Sequence, residues 1–254
     1  MVNIKVMSQN LMCWEKKKVG TFRQRKPLMK KALTKHGADV IGVQECKPMW
    51  ERFLNRNLRG FDSIIKYRSK TSKEATPIYW RKDKFEKLDG GHFWLSETPD
   101  VEGSIGWDAK CSRVTSWVLL RDIQSQKEFV FVNTHLDHVG ELARINGVKL
   151  ICKFIRDKIG ESMPLILVGD FNAWPDSETI RNANKLLCDA RAAAKESTNS
   201  PTFHAYGDEN RRDIIDYIYI SQNIRCNTFN IVKETKRNSY QSDHYGIIAD
   251  LDIV

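Results

Sequence analysis

Acidic, amide and imidazole side chains recur in this sequence where short apolar runs begin or end. They occur in the segments Ser8-Gln9-Asn10, Gln44-Glu45, Thr134-His135-Leu136-Asp137, Gly169-Asp170-Phe171-Asn172 and Ser242-Asp243-His244, with Asp216 at the start of a further apolar run. Carboxylate and amide oxygens bind hard metal ions, and carboxylates and imidazoles hold and transfer protons. Together these groups are of the kinds that a site binding a metal and a phosphate would need.

Each of these residues has an ordinary structural explanation when it is taken alone. An Asn that follows a strand is usually a turn residue, and Glu45 lies where an acid would cap a helix beginning near Pro48. A lone His135 or His244 is more often a hydrogen-bonded structural residue than a catalyst. Their joint occurrence favours function, because polar groups placed repeatedly at strand ends of one sheet system converge in space.

The elements that must position these residues are short strands mixed with helices. Apolar runs typical of strands occur at residues 4–7, 40–43, 129–133, 165–168, 214–220 and 247–251. Helical periodicity occurs at residues 26–36, 48–57 and 141–159, and a further helix is predicted from residue 177 towards residue 187. Mixed elements without strict alternation predict sheet packed on sheet with helices outside. No composition break divides the chain, which favours one domain.

Composition excludes several classes of protein. The 254 residues are 41% hydrophobic and 29% charged, which disfavours a disordered chain. No apolar stretch reaches the length of about 18 residues that a membrane-spanning helix needs. The N-terminus has no long apolar segment, and the six cysteines are scattered without zinc-ligand spacing. We therefore expect reduced thiols in a cytoplasmic or nuclear protein that is not secreted. The net charge of +9 is compatible with polyanionic partners.

The ordered motif set resembles that of the endonuclease/exonuclease/phosphatase superfamily, the deoxyribonuclease-like and abasic-endonuclease-like metal-dependent phosphoesterases. The match runs from residue 10 to residue 244 in the family's order. Segments 93–99, 106–108 and 134–138, with Trp14, Arg23 and Arg113, are similar to an uncharacterised bacterial-type branch. The resemblance implies an α/β (α+β) fold, a four-layer sandwich of two packed mixed β-sheets flanked by helices. It also implies a single catalytic domain over residues 1–254.

The resemblance implies a metal site and a hydrolytic base. Glu45 is expected to bind Mg²⁺, with Mn²⁺ as the alternative, and Asn10 and Asp243 are expected to complete or support the coordination. Asp170 is expected to activate or orient the attacking water. Asn172 is expected to donate hydrogen bonds to the phosphate or to hold Asp170 in place.

The resemblance also implies roles for two histidines that would flank the phosphate. His135 and His244 are expected to donate hydrogen bonds to its oxygens, and one of them to protonate the leaving group. An imidazole has an ordinary pKa of about 6.5 and needs an acidic neighbour to remain a donor at neutral pH. The resemblance suggests Asp216 as the partner of His244 and Glu74 as the partner of His135. If the strand continues past His135, alternation of side chains also allows Asp137 to share the site.

Basic and aromatic residues near the motifs extend the expected substrate site. Arg113 and Arg23 are candidates for a second phosphate, and Trp174 for a substrate wall, against the ordinary alternatives of ion pairs and core filling. Residues 16–35 carry nine Lys or Arg and no acid, and further basic groups lie at residues 211–212 and 233–237. They are compatible with a track for a phosphate backbone, or with a solvated helix face.

Two functions remain open from the sequence. The first is a Mg²⁺-dependent phosphodiesterase acting on nucleic acid, either DNA or RNA, and it is favoured by the basic clusters and loop aromatics. The second is a phosphomonoesterase acting on a small metabolite such as a sugar phosphate or inositol phosphate. In both cases we expect a monomer that binds a phosphate-containing substrate, with no membrane association and no obligate protein partner.

Overall fold

The computed structural model describes residues 1–13, 20–208, 210–236 and 239–254. Its strands are β1 (Val2–Asn10), β2 (Val40–Gln44), β3 (Phe61–Ile64), β4 (Ile78–Arg81), β5 (Phe85–Trp94), β6 (Val114–Asp122), β7 (Glu128–His135), β8 (Leu165–Asp170), β9 (Cys188–Asp189), β10 (Glu196–Ser197), β11 (Asp216–Ile220), β12 (Ile224–Val232), β13 (Thr235–Lys236), β14 (Ser239–Tyr240) and β15 (Gly246–Ile253). Its helices are α1 (Phe22–Lys35), α2 (Pro48–Asn57), α3 (Glu141–Phe154), α4 (Glu178–Ala183) and α5 (Ala190–Ala193), with a π-helical turn (Ile155–Ile159) directly after α3.

These strands form two large mixed sheets. The first has the order β10-β12-β15-β1-β2-β4-β3, and the second has the order β5-β6-β7-β8-β11-β9. In the first sheet β1 runs parallel to β2 and antiparallel to β15. In the second sheet β7 runs parallel to β8, and β11 runs antiparallel to β8. Strands β13 and β14 form a separate small pair.

The two sheets face each other across an apolar core, and side-chain alternation along each strand explains why. In β7, Phe129 and Phe131 enter the core between the sheets, whereas Val130 and Val132 pack against the outer helices. Burying one large apolar side chain stabilises the fold by about 1.5–3 kcal/mol. Helices α3 and α4 cover the outer face of the second sheet, and α1 and α2 cover that of the first. The predicted four-layer sandwich is therefore confirmed.

Helix α1 begins earlier than the apolar pattern predicts. The predicted start was residue 26, but the helix starts at Phe22 behind the N-cap Thr21. The Thr21 side chain accepts a hydrogen bond from the Gln24 N–H, and the Gln24 side chain accepts one from the Thr21 N–H. This reciprocal capping box satisfies two otherwise unpaired donors and offsets the unfavourable Pro27 inside the helix. Helix α2 has the predicted bounds, whereas the predicted helix at 141–159 changes to π-helical geometry at Ile155.

Two further expectations concern the chain as a whole. All six cysteines are free, as expected for reduced thiols. Among the helices of the described ranges, none has the length and apolar character that crossing a bilayer requires.

Candidate active site

The polar residues of the motifs meet because parallel strands bring their carboxyl ends to one edge of each sheet. Asn10 and Gln44 are paired residues at the ends of β1 and β2, and Glu45 follows directly. His135 and Asp170 are likewise paired at the ends of β7 and β8. Asp216 opens β11 opposite Asp170, since these two strands run antiparallel.

A buried amide network joins the two sheets directly beneath this edge. The Gln44 side chain donates from Nε2 to Asn133 Oδ1 at 2.7 Å and to Ser8 Oγ at 3.0 Å. Asn133 in turn donates from Nδ2 to the carbonyl oxygens of Val43 and Pro77, each at 2.8 Å. Because all three polar side chains are fully buried, each of these hydrogen bonds fixes the spacing of the sheets and hence of the site residues.

Glu45 and Asn10 form a prearranged pair at the first sheet. Glu45 lies in the left-handed region with φ 56°, a conformation that residues other than glycine rarely adopt and that is often found at functional sites. Its Oε2 accepts from the Cys13 N–H at 2.7 Å and its Oε1 from Asn10 Nδ2 at 3.2 Å. Burial alone would raise the pKa of Glu45, but these hydrogen bonds and the nearby charge of His244 lower it overall.

Asn10 presents its amide nitrogen, not its oxygen, to the two acids. Asn10 Oδ1 accepts from the Met12 N–H at 2.8 Å, which fixes the orientation of the amide because a backbone N–H can only donate. Its Nδ2 therefore faces both Glu45 and Asp170, the latter at 2.9 Å from Oδ2. In this orientation Asn10 can support a metal site by holding the carboxylates, rather than by donating its own oxygen to the metal.

Asp170 lies at the centre of the site and is almost completely buried. Its carboxylate accepts from Asn10 Nδ2 and, at 2.9 Å, from the Asn172 N–H. Burial raises the pKa of Asp170 to about 7; the charge of Asp216 adds to this effect, while the charge of His244 and the two hydrogen bonds oppose it. A carboxylate with a pKa near neutrality is suited to accept a proton from water.

Asn172 is placed to hold the loop behind Asp170. It adopts φ 47°, and its side chain donates from Nδ2 to the Leu136 carbonyl oxygen at 3.1 Å. Asn172 also lines the cavity described below. Its backbone and side chain thus join the ends of β7 and β8.

His244 is held between two aspartates. Its Nδ1 donates to Asp216 Oδ2 at 2.9 Å, and its Nε2 lies 3.7 Å from Asp170 Oδ2. Burial alone would lower the pKa of His244, but the charges of Asp216 and Asp170 outweigh burial and hold it well above its ordinary value. Ligand atoms of the three residues lie within 4.8 Å of one another, but they are already engaged with each other. We interpret this cluster as a chain for holding and moving a proton.

His135 is buried beside Glu74 but is not hydrogen-bonded to it. Glu74 Oε1 lies 3.9 Å from His135 Nδ1, whereas it accepts from Arg68 Nη1 at 2.7 Å. His135 Nδ1 has no hydrogen-bond partner among the described residues, and its Nε2 lies 3.5 Å from Asp170 Oδ2. Burial and the charges of Arg113 and Arg68 hold the pKa of His135 well below its ordinary value, so the ring is neutral.

Glu45 and Asp243 are the carboxylates that fit a divalent cation. The hydrogen bond found for the Asp243 carboxylate among the described residues comes from Ser242 Oγ at 3.1 Å, which leaves most of its acceptor capacity unused. Burial and the charge of Glu45 raise the pKa of Asp243, while His244 opposes this. A cation bound to both acids would remove their repulsion, and carboxylate oxygens are the ligands that Mg²⁺ prefers. The donor set therefore fits a divalent metal ion.

These residues line a cavity of about 620 Å³ that also contains a basic wall. Arg68, Lys110, Arg113 and His138, which we call the basic wall, line this cavity together with Glu45 and Asp243. Arg113 is buried and donates from Nη2 to His138 Nδ1 at 3.0 Å.

Segment 95–113, which carries much of the basic wall, is tied down at two points. Asp108 Oδ1 and Oδ2 accept from the first N–H groups of α3, those of Ala143 at 2.7 Å and Leu142 at 3.2 Å. This replaces the cap that Gly140, the N-cap residue, cannot provide. Asp137 accepts from the Lys110 N–H at 3.1 Å, and its Oδ2 lies 3.4 Å from Arg113 Nε.

Asp137 thus holds the wall in place and does not act beside His135. Its Oδ1 also accepts from the backbone N–H groups of Val139 and Gly140, both at 2.9 Å. Burial alone would raise the pKa of Asp137, but these hydrogen bonds and the charge of Arg113 hold it well below its ordinary value.

Some residues selected from the sequence lie elsewhere, and others were missed. Arg23 is exposed on α1 and Trp174 is 58% exposed with Nε1 donating to Asp213 Oδ1, and neither lines the cavity. Trp14, Lys16, Lys17, Lys18 and Arg237 lie outside the described residues. The sequence reasoning did not single out the cavity residues Arg68, Lys110, Cys111 and Phe203. For Arg68 the available signal was its basic charge six residues before Glu74.

The chain is similar in sequence and fold to several known proteins. The family model described as Endonuclease/Exonuclease/phosphatase family matches residues 26–244. A search of curated proteins found no match. Among solved structures, an endonuclease/exonuclease/phosphatase from Bacteroides vulgatus is 30% identical, with a TM-score of 0.93 and 100% of both chains covered. A mannosyl-6-phosphatase from Bacteroides thetaiotaomicron is 28% identical, with a TM-score of 0.89, 98% of this chain and 99% of that chain covered. TDP2 of D. rerio, complexed with a single-strand DNA product, is 16% identical with a TM-score of 0.80 over 98% of this chain and 99% of that chain, a likeness of fold alone.

Proposed function

Because the chain belongs to the endonuclease/exonuclease/phosphatase family of metal-dependent phosphoester hydrolases, we propose that it hydrolyses the terminal phosphomonoester of a small phosphorylated metabolite, such as a sugar phosphate. The observation that carries this proposal is the pair of guanidinium groups, Arg68 and Arg113, in the same cavity as His135 and Asp170. Residues 1–254 act as one catalytic domain in this proposal, a reading supported by the pairing of β1 with β15.

The charge of the substrate phosphate argues for a monoester. A terminal phosphate monoester carries between one and a half and two negative charges at about pH 7, with three oxygens free to accept hydrogen bonds. Two arginines beside the hydrolytic centre match such a dianion, since each guanidinium offers paired donors. A phosphodiester carries a single charge and offers fewer free oxygens. The remainder of a small substrate would lie against Lys110 and His138, on the segment tied down by Asp108 and Asp137.

The sequence similarity to the mannosyl-6-phosphatase supports the same choice. That relative is 28% identical over nearly the whole length of both chains. We propose that the substrate here is also a phosphorylated sugar or a compound of similar size.

In the proposed mechanism the protein residues orient the phosphate and move two protons. Asp170 accepts a proton from the attacking water, with Asn10 and Asn172 fixing the position of its carboxylate. His244, kept protonated by Asp216, donates to the phosphate oxygens. Arg68 and Arg113 bind the remaining oxygens and so favour the charge that develops during phosphoryl transfer. His135 faces the same phosphate and, once it has taken up a proton from solvent, supplies the proton that the leaving oxygen needs.

We propose that Glu45 and Asp243 hold the metal ion and that this ion is Mg²⁺, with Mn²⁺ able to replace it. A bound Mg²⁺ neutralises phosphate charge and polarises the phosphorus–oxygen bonds. Asn10 supports the site by orienting the Glu45 carboxylate.

Nucleic acid is the second candidate substrate. It is supported by the net charge of +9 and by the basic residues 211–212, of which Arg211 lies 5.3 Å over the ring of the cavity residue Phe203. Backbone binding would make activity fall steeply with added salt.

One experiment compares both candidates. The purified protein with Mg²⁺ is offered mannose 6-phosphate, other sugar phosphates and inositol phosphates, and release of inorganic phosphate is measured. Single-stranded DNA, double-stranded DNA and RNA are offered in parallel at low salt. Asp170→Asn serves as the inactive control. We expect phosphate release from at least one sugar phosphate and no cleavage of nucleic acid. Cleavage of nucleic acid together with a blank metabolite panel would overturn the proposal.

A further inference from the structure

One oxygen of Glu74 faces two different partners. Glu74 Oε1 accepts a hydrogen bond from Arg68 Nη1 at 2.7 Å and lies 3.9 Å from His135 Nδ1. The Arg68 contact has the length of a strong charge-assisted hydrogen bond, and the His135 contact is too long for a hydrogen bond. Arg68 and His135 therefore have the same nearest acceptor oxygen, and of the two only Arg68 is hydrogen-bonded to it.

The consequence for His135 is an unpaired nitrogen in a buried place. Its side chain is 6% exposed, and Nδ1 has no hydrogen-bond partner within the described part of the chain. Buried polar atoms are normally paired, and the Glu74 carboxylate is a partner within short reach of this unpaired nitrogen. Only a small movement of Glu74 or His135 would close the gap.

Arg68 is placed to be drawn away from Glu74. It lines the cavity, and its side chain is 15% exposed, whereas that of Glu74 is 7% exposed. Its Nε donates to Ser72 Oγ at 2.8 Å, which holds one side of the guanidinium. The side that donates to Glu74 can instead donate to a bound anion. A phosphate dianion in the cavity is an alternative acceptor with more charge than Glu74.

We propose that Arg68 is a positioning residue that withholds Glu74 from His135 in the free enzyme and releases it when a phosphate dianion binds. Arg68 then pairs with the phosphate, and Glu74 Oε1 accepts from His135 Nδ1. His135 takes up one proton from solvent and becomes the donor for the leaving oxygen. The inference rests on the proposed function only in taking a phosphate group as the ligand.

The charges around His135 agree with this exchange. The groups that face it are Glu74 and Asp170, which favour its protonation, and Arg113, Arg68, His244 and His138, which oppose it. Burial and the two arginines hold the pKa of His135 low in the free enzyme. A bound dianion and a paired Glu74 both act in the opposite direction.

The first test measures protonation of His135 by NMR in the free enzyme with Mg²⁺. We expect Arg68→Met to raise the pH midpoint of the His135 ring by about 1 unit or more, since Glu74 is then free to pair with it. Arg68→Met combined with Glu74→Gln should reverse most of this rise. Arg81→Met, which removes an arginine from the exposed ion pair with Asp83, is the matched control and should have no effect. An equal rise in the single and double variants would overturn the proposal, because loss of arginine charge alone would then explain it.

The second test uses sulfate, a dianion that does not titrate near neutrality. Calorimetry in buffers of different ionisation enthalpy counts the protons taken up on binding. We expect the wild type to take up about one proton more per sulfate near pH 7 than Glu74→Gln takes up, since any uptake by Asp170 is common to both proteins. No uptake by the wild type, or equal uptake by the variant, would overturn the proposal even if Arg68→Met fails to fold. Neither test measures turnover. If no metabolite in the panel releases phosphate, the proposed substrate is wrong, but the proposed exchange of hydrogen bonds at Glu74 is not contradicted.

Discussion

Replacing Asp170 by Asn is expected to stabilise the protein at alkaline pH while it abolishes turnover. Burial raises the pKa of Asp170 from 3.8 to about 7. The folded state therefore keeps a proton that the unfolded state releases between these two pH values. The contribution of Asp170 to the unfolding free energy of the wild type therefore falls as the pH rises from 3.8 to about 7, and it is constant at higher pH. The full difference corresponds to about 4 kcal/mol, at about 1.36 kcal/mol for each pH unit.

The net gain should be smaller than this full difference. The carboxylate accepts hydrogen bonds from Asn10 and Asn172, and an amide can retain one of them. Losing the other costs about 1–2 kcal/mol. We expect Asp170→Asn to match the wild type near pH 5 and to exceed it by about 2 kcal/mol near pH 8, as these estimates combine.

Urea unfolding with a chelator present, at several pH values between 5 and 8, measures this difference. Asp83→Asn is the matched control, because Asp83 is exposed and its hydrogen bond to Arg81 lowers its pKa instead. If the stability difference between Asp170→Asn and the wild type does not grow with pH, Asp170 does not retain a proton in the folded protein. The same variant should lose catalysis by about 10²–10⁴-fold, the usual contribution of a positioned base.

Four further substitutions address the other parts of the site. Asp216→Asn should lower the pKa of His244 in an NMR titration and reduce kcat by about 10²-fold or more; an unchanged His244 pKa would contradict the pairing. Glu45→Gln should raise the Mg²⁺ concentration for half-maximal activity by about tenfold or more, and no change would remove Glu45 from the metal site. Asn133→Leu should lower the unfolding free energy by about 3 kcal/mol; an unchanged unfolding free energy in urea denaturation would show that the amide network does not stabilise the fold. Asp108→Ala should lower the unfolding free energy by about 1 kcal/mol and raise KM with little change in kcat. An unchanged KM would show that segment 95–113 does not contribute to substrate binding.

The sequence predicted the strand-end residues well because their placement follows from local rules. Asn10, Glu45, Asp170 and Asp216 all lie within a residue of a strand end, and strand ends are set by apolar runs that can be read locally. Parallel pairing in each sheet, the antiparallel pairing of β11 with β8 and the packing of the two sheets then bring these residues together. The order of the motifs along the chain indicated the family, and the resemblance to the family implied how the two sheets are layered.

Arg23 shows where local reading fails. Arg23 and Arg25 lie two positions apart on α1, so they point to different sides of the helix. Arg25 is buried and donates to the carbonyl oxygens of Leu11 and Met12, both at 2.7 Å, which supports the loop after β1. Choosing between the two arginines required the helix phase, and that phase is set by packing against the first sheet.

The place of Arg68 in the site could not be predicted from the sequence, for a different reason. It lies in a polar stretch, residues 66–76, without helical or strand periodicity. Its contact with Glu74 arises because this stretch folds back on itself, with the Arg68 N–H donating to the Glu74 carbonyl oxygen at 2.7 Å. Such a turn has no apolar pattern to reveal it.

The pairing of β1 with β15 determines when during its synthesis this protein can become active. Val2 is paired with Ile253, so the edge of β1 that faces away from β2 stays unpaired until β15 has been made. Asn10 is the last residue of β1 and His244 lies two residues before β15, so two parts of the site come from positions far apart along the chain. Contacts of such long sequence separation form slowly. A nascent chain on the ribosome would therefore hold an incomplete centre until the segment before β15 has emerged, and we expect activity only after β1 and β15 have paired.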